Sequence, residues 1–222
     1  MKAANIKTRI LVVDDHPVAT RGICTVIDSE ADMEVCGTAA TAADAMRLFN
    51  RLKPDIALVD LRLGEQSGLD LVRDMLVQDR HFPALLFSMY EDRLYAERAI
   101  RAGARGYIMK QEAASTIITA IRTVRDGGVY VRKELIPRIL KHGQNAAATP
   151  NASPDISTLT DRELQVLQAM GGGTGRKEMA ADINVSVKTI DGYRRSMVRK
   201  LGLRSVTELA QFAARLDEFG PV

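Results

Sequence analysis

Short apolar runs recur along the first 126 residues: RILVVDD (9–15), MEVCGTA (33–39), DIALVD (55–60), ALLFSM (84–89) and GYIMK (106–110). They are aliphatic and apolar at consecutive positions, the pattern of strands buried on both faces of a parallel sheet. Between them lie segments with apolar residues at helical spacing, near 17–29, 41–52, 67–79, 92–102 and 113–126. Five strand–helix alternations predict a doubly wound, five-stranded parallel α/β domain over residues 1–126. Pro17 suits a first helical turn. Thr41, Ser67 and Ser115 are expected N-caps, and Gly103 and Gly127–Gly128 expected helix stops.

Beyond residue 126 the pattern changes. Residues 127–158 predict a linker with a short helix near 132–141, followed by a stretch rich in Ala, Asn, Pro, Ser and Thr without periodicity. Residues 159–222 are helical in pattern throughout and predict a small all-α domain. LTDREL opens it with Thr160 and Glu163 at capping-box spacing, and Leu159 and Leu164 at the positions of a hydrophobic staple. A short helix over 176–183, a tight turn and a helix capped by Ser186 form a helix-turn-helix pattern. The second of these helices carries an apolar stripe of Ile190, Tyr193, Met197 and Leu201, with Lys188, Asp191, Gly192, Arg195 and Arg199 opposite.

Composition narrows the classes. Hydrophobic content of 46% and charged content of 27% are ordinary for a globular chain, and the net charge of +3 is mild. Over 186–204, however, six cations face one acid, a local net charge of +5. The positive charge is concentrated where a DNA-reading helix requires it. The two cysteines have no partner at metal-ligand spacing and read as small buried residues in a reducing compartment. No signal peptide and no membrane span is expected, which points to a cytoplasmic protein. GGGTGRKE (171–178) misses the phosphate-loop spacing by one residue and lacks its hydroxyl. It reads as a joint between helices, with Gly175 capping the second and Lys177 facing a DNA phosphate.

The chemistry lies at the strand ends. In a parallel sheet, ligands sit beyond the carboxyl ends of the strands. There the sequence places Asp14 and Asp15, Asp60, Ser88 and Lys110. Three carboxylates in one place repel, and a divalent cation with hard oxygen ligands, such as Mg²⁺, offsets that cost. A carboxylate at such a site can attack a phosphoryl group, while an ammonium and a hydroxyl neutralise the phosphoryl oxygens.

The segments LVVDDHPV, ALVDLRLGEQSGLDL, FSMYED and GARGYIMKQ resemble the receiver domain of bacterial two-component response regulators of the NarL/FixJ type. LTDREL, KEMA and KTI…Y…RKLG resemble the LuxR-type helix-turn-helix. The resemblance implies a flavodoxin-like receiver with Asp60 as phosphoacceptor. It implies that Asp15 holds Mg²⁺ directly, Asp14 through water, and that the Arg62 backbone carbonyl is a further ligand. Ser88 and Lys110 then contact the phosphoryl group, and Tyr107 is the aromatic that changes rotamer on activation. In the helix-turn-helix, Asp191, Gly192 and Arg195 are expected at base edges, and Lys188, Thr189, Arg194, Arg199 and Lys200 at phosphates, with Tyr193 donating to a phosphate. The implied partners are a sensor histidine kinase, promoter DNA and a second copy of the chain once phosphorylated. Two departures stand out: Gly64 where the family often has proline, which suggests a more mobile loop, and Tyr193 where it usually has histidine.

Two rival readings remain in the residues. A haloacid-dehalogenase-type phosphatase has a second Asp two positions after its nucleophile, where this chain has Arg62. The chain is therefore not expected to be an enzyme beyond its own phosphoryl transfer and dephosphorylation. The other rival is a phosphorylation-independent regulator acting through protein contacts. Leu209, Phe212, Ala213 and Leu216 form either a dimer stripe or part of the small domain's core.

Overall fold

Consecutive apolar positions build the centre of the first unit. In the computed structural model, which describes residues 7–64, 66–89, 93–136, 156–183 and 185–218, strand β1 (Thr8–Val13) has Ile10, Leu11, Val12 and Val13 fully buried. Strands β2 (Met33–Ala39), β3 (Ile56–Asp60), β6 (Ala84–Ser88) and β7 (Gly106–Met109) complete a parallel sheet in the order β2-β1-β3-β6-β7. Helices α1 (Pro17–Asp28), α2 (Ala42–Leu52), α3 (Gly68–Gln78), α4 (Arg93–Arg101) and α5 (Ala114–Arg125) alternate with the strands. This is the expected doubly wound architecture, with strand order reversing between β1 and β3.

The predicted caps divide. Thr41 accepts a hydrogen bond from the Asp44 amide and Ser67 from the Leu69 amide, as N-caps do. Ser115 does not cap: α5 begins one residue earlier, after Ala113, and has no side-chain cap. A two-stranded hairpin, β4 (Arg62–Leu63) with β5 (Gln66–Ser67), was not legible in the hydrophobic pattern because two-residue strands have no periodicity. The far edge of the sheet is partly covered. The Tyr107 amide donates to the Tyr130 carbonyl at 3.0 Å, and the Tyr130 amide to the Arg105 carbonyl at 2.8 Å. Of the helix expected over 132–141, the structure describes a single 3-10 turn at Lys133–Leu135. The remainder, and the linker through residue 155, lie outside the described residues.

The chain divides into two units, Met1–Ala146 and Ala147–Val222. The second contains a 3-10 turn (Ile156–Thr158) and helices α6 (Asp161–Gly171), α7 (Arg176–Asp182), α8 (Val187–Lys200) and α9 (Val206–Glu218). The capping box is formed: the Glu163 amide donates to Thr160 Oγ1 (3.3 Å), and the Thr160 amide donates to Glu163 Oε2 (2.7 Å). Leu159, Leu164, Leu167, Met179, Ile190, Met197 and Leu201 are buried together with Leu209 and Ala213. Two members of the possible dimer stripe are thus core, and the side chain of Leu216 lies outside the described residues. The glycine-rich joint follows a helix. Gly173 takes φ +75°, and Gly175 is the N-cap of α7. Among the described residues, no helix is long and apolar enough to cross a membrane.

Candidate functional site

Sheet register levels the acidic groups. Asp60 pairs with Phe87 across β3–β6, and Ser88 pairs with Met109 across β6–β7. The amide of Lys110 donates to the Ser88 carbonyl at 2.7 Å, and that of Asp14 to the Ala39 carbonyl at 3.0 Å. Asp14, Asp60 and Ser88 are all buried.

Lys110 links the acids. Its Nζ donates to Asp60 Oδ2 at 2.7 Å and to Asp14 Oδ2 at 2.9 Å, and lies 4.8 Å from the Phe87 ring centroid. Asp60 Oδ1 accepts from the Arg62 amide at 3.2 Å. Burial pushes the Asp60 carboxyl up to about 6, against the pull of Lys110 in the other direction. Asp15 stands nearer to solvent, and its Oδ2 accepts from the Gly64 amide at 2.8 Å. Gly64 takes φ +59°, which proline cannot adopt, and its amide ties the β4–β5 hairpin to Asp15. Tyr107 is buried in β7, opposite Leu86.

Two residues of this site escaped the sequence reading. A side chain at Gly68 would place Cβ 1.9 Å from the Asp60 carbonyl oxygen, so the start of α3 can approach the acidic strand only as glycine. The other is His16, the residue directly after the two aspartates. Its Nδ1 lies 2.8 Å from Asp15 Oδ1, 3.2 Å from Asp14 Oδ1 and 3.8 Å from Asp60 Oδ2. Ligand atoms of Asp14, Asp15, His16 and Asp60 all fall within 4.8 Å of one another. Asp15 Oδ1 is buried and accepts no hydrogen bond, with His16 Nδ1 in ion-pair range at 2.8 Å. A cluster of oxygens with one lacking a donor fits a divalent cation.

In the second unit α8 sorts as its sequence pattern implies. Ile190 and Met197 are buried, whereas Lys188, Thr189, Arg195 and Arg199 are exposed, as is Lys177 on α7. Asp191, Gly192, Tyr193 and Arg194 are half-buried. Asp191 is flanked by Arg176 (3.4 Å) and Arg194 (3.5 Å), and its carbonyl accepts from Arg195 Nε at 3.3 Å. Arg176 is the third residue the sequence reading missed. Lys200, also exposed, has a partner within its own unit. Its Nζ donates to Oε2 of buried Glu163 at 2.7 Å, so it is committed to the capping box of α6.

Comparison with known proteins follows the same division. Residues 10–122 match the family described as the response regulator receiver domain, and 157–213 the bacterial regulatory proteins of the luxR family. The oxygen regulatory protein NreC of Staphylococcus aureus is 33% identical over 93% of this chain and 97% of its own. A LuxR-family two-component response regulator from Aurantimonas sp. SI85-9A1 aligns with TM-score 0.57 at 29% identity, over 62% of this chain and 98% of that one. RcsB from Salmonella enterica serovar Typhimurium, solved on promoter P1flhDC with the phosphomimetic BeF3⁻, aligns over 94% of this chain and 99% of its own. Its TM-score is 0.60 at 20% identity, a likeness of fold alone.

Proposed function

The chain belongs to the response regulators that join a receiver domain to a LuxR-family DNA-binding domain, and from that premise we propose that Asp60 is the phosphoacceptor that controls DNA binding. It is a DNA-binding transcriptional response regulator, a class of regulators rather than of substrate-turning enzymes. The observation that carries the proposal is the buried Asp60, joined through Lys110 to Asp14 at 2.7 and 2.9 Å.

A carboxylate oxygen of Asp60 attacks the phosphorus of a phosphohistidine on a sensor kinase. The P–O bond to Asp60 forms, the P–N bond breaks, and the imidazole leaves after taking up a proton. Asp14, Asp15, Asp60 and the Arg62 carbonyl would hold Mg²⁺, which supplies charge neutralisation for the phosphoryl oxygens when bound. Lys110 exchanges its bond to Asp60 Oδ2 for a phosphoryl oxygen, and the Ser88 hydroxyl donates to another. Moving Ser88 frees space for Tyr107, buried two strand positions away from the site's edge, to change rotamer. Hydrolysis of the acyl phosphate restores Asp60, so the receiver promotes its own phosphorylation and dephosphorylation and turns over no other substrate.

In the second domain Asp191, Gly192 and Arg195 read base edges of promoter DNA. Lys177, Lys188, Thr189, Tyr193, Arg194 and Arg199 contact the backbone. One short helix reads few base pairs, so two phosphorylated copies bind paired half-sites. Comparing wild type with Asp60→Asn tests the reading, with and without a small phosphodonor. The expected outcome is a donor-dependent gain in promoter affinity of about tenfold or more in wild type only. Equal affinity under all four conditions would support the phosphorylation-independent regulator instead.

A further inference from the structure

We infer that His16 is an additional ligand of the cation site, through Nδ1, and that it biases the site toward nitrogen-accepting first-row divalent cations over Mg²⁺. This rests on the reading that Asp14, Asp15 and Asp60 hold a cation. Adjacent ligands at right angles around a cation with bonds of about 2.1 Å lie roughly 3 Å apart. His16 Nδ1 hydrogen-bonds Asp14 Oδ1 at 3.2 Å and stands 2.8 Å from Asp15 Oδ1, a spacing that neighbouring ligand positions on one ion share. Its 3.8 Å separation from Asp60 Oδ2 approaches that of opposite positions. The backbone places the residue beside the acids, since the His16 amide donates to Asp14 Oδ1 at 2.9 Å and the residue is the extended N-cap of α1, with Pro17 next. The imidazole side chain is 66% exposed, so water can reach it and exchange the ring tautomer.

The physical consequence is selectivity. Carboxylates and water suit Mg²⁺, whereas imidazole suits the later first-row metals. A site of three carboxylates accepts either class. Adding one imidazole favours cations such as Co²⁺ or Fe²⁺ and gains little for Mg²⁺. His16 is one of three histidines in the chain, and its effect is separable from the others by a single substitution.

The test uses the full chain. Co²⁺ and Mg²⁺ affinities are measured by calorimetric titration of wild type, His16→Ala, His16→Gln and Asp15→Asn, with circular dichroism as the check of folding. The proton NMR spectrum of the Co²⁺ form gives a direct readout. Wild type should show paramagnetically shifted imidazole resonances that vanish in both His16 variants. The ratio of Co²⁺ to Mg²⁺ affinity should fall about tenfold in those variants, with Mg²⁺ affinity changing less than about threefold. Absence of shifted imidazole signals in wild type, or an unchanged affinity ratio, would overturn the role of His16 alone. Failure of wild type to bind either ion, or binding unaffected by Asp15→Asn, would overturn the cation site itself.

Discussion

At the scale of single residues, close approach and charge decide what each position tolerates. Gly68 is the sharpest case. An added Cβ would sit 1.9 Å from backbone oxygen, which cannot rotate away as a side chain could. Gly68→Ala should therefore destabilise the receiver by about 2 kcal/mol or more, read from its urea unfolding midpoint. Lys200 makes a second prediction. Burial pushes the Glu163 carboxyl up, but hydrogen bonds from Lys200, Ser196 and Thr160 outweigh this and hold it below its ordinary value of 4.5. The folded form therefore holds fewer protons than the unfolded one. The contribution is present above the ordinary value and is lost as pH falls through the lower, folded one. Lys200→Met should cost about 1–3 kcal/mol at pH 7, with the difference from wild type shrinking below about pH 4 in thermal unfolding. It should leave the salt dependence of DNA binding unchanged, whereas Lys188→Ala or Arg199→Ala should each lower the slope of log K on log salt by about one.

At the scale of elements, edges and joints carry the information that periodicity does not. Strand β7 holds Tyr107 and precedes Lys110, and its free edge is bridged by Tyr130. A Cβ at Gly106 would meet the Tyr130 carbonyl and Leu85 Cδ2, both at 2.6 Å. Gly106→Ala should break the bridge, seen as faster hydrogen exchange at the Tyr107 and Tyr130 amides than in wild type. The helices themselves were legible from the spacing of apolar residues, and Thr41, Ser67, Thr160 and Ser186 from the chemistry of N-caps. Ser115 misled because a serine in the first turn of a helix resembles its N-cap, which here is Ala113, two residues earlier. The β4–β5 hairpin was hidden because its turn depends on Gly64 at φ +59° and on a bond to Asp15, a residue 49 positions away.

At the scale of the whole molecule, a receiver and a DNA-binding domain on one chain make regulation a question of oligomer and charge. Under the proposed function, phosphodonor should shift sedimentation of wild type toward a dimer, while Asp60→Asn stays at the lower mass. The stripe Leu209, Phe212, Ala213 and Leu216 is a poor guide to that interface. Leu209 and Ala213 fill the core of the second unit, so replacing either with a charged residue should unfold the domain rather than simply prevent dimerisation.

Sequence alone determined the alternation of buried strands and amphipathic helices, the five strand-end groups and the cationic helix, because these depend on residue type at fixed local spacing. Tertiary structure decided which groups meet. Lys110 bridges Asp14 and Asp60 across 96 and 50 positions, and Lys200 pairs with Glu163. His16 reaches three carboxylates from beside Asp15, and Gly68 admits α3 against Asp60. Such distances follow from sheet register and helix docking, which no local pattern of residues encodes.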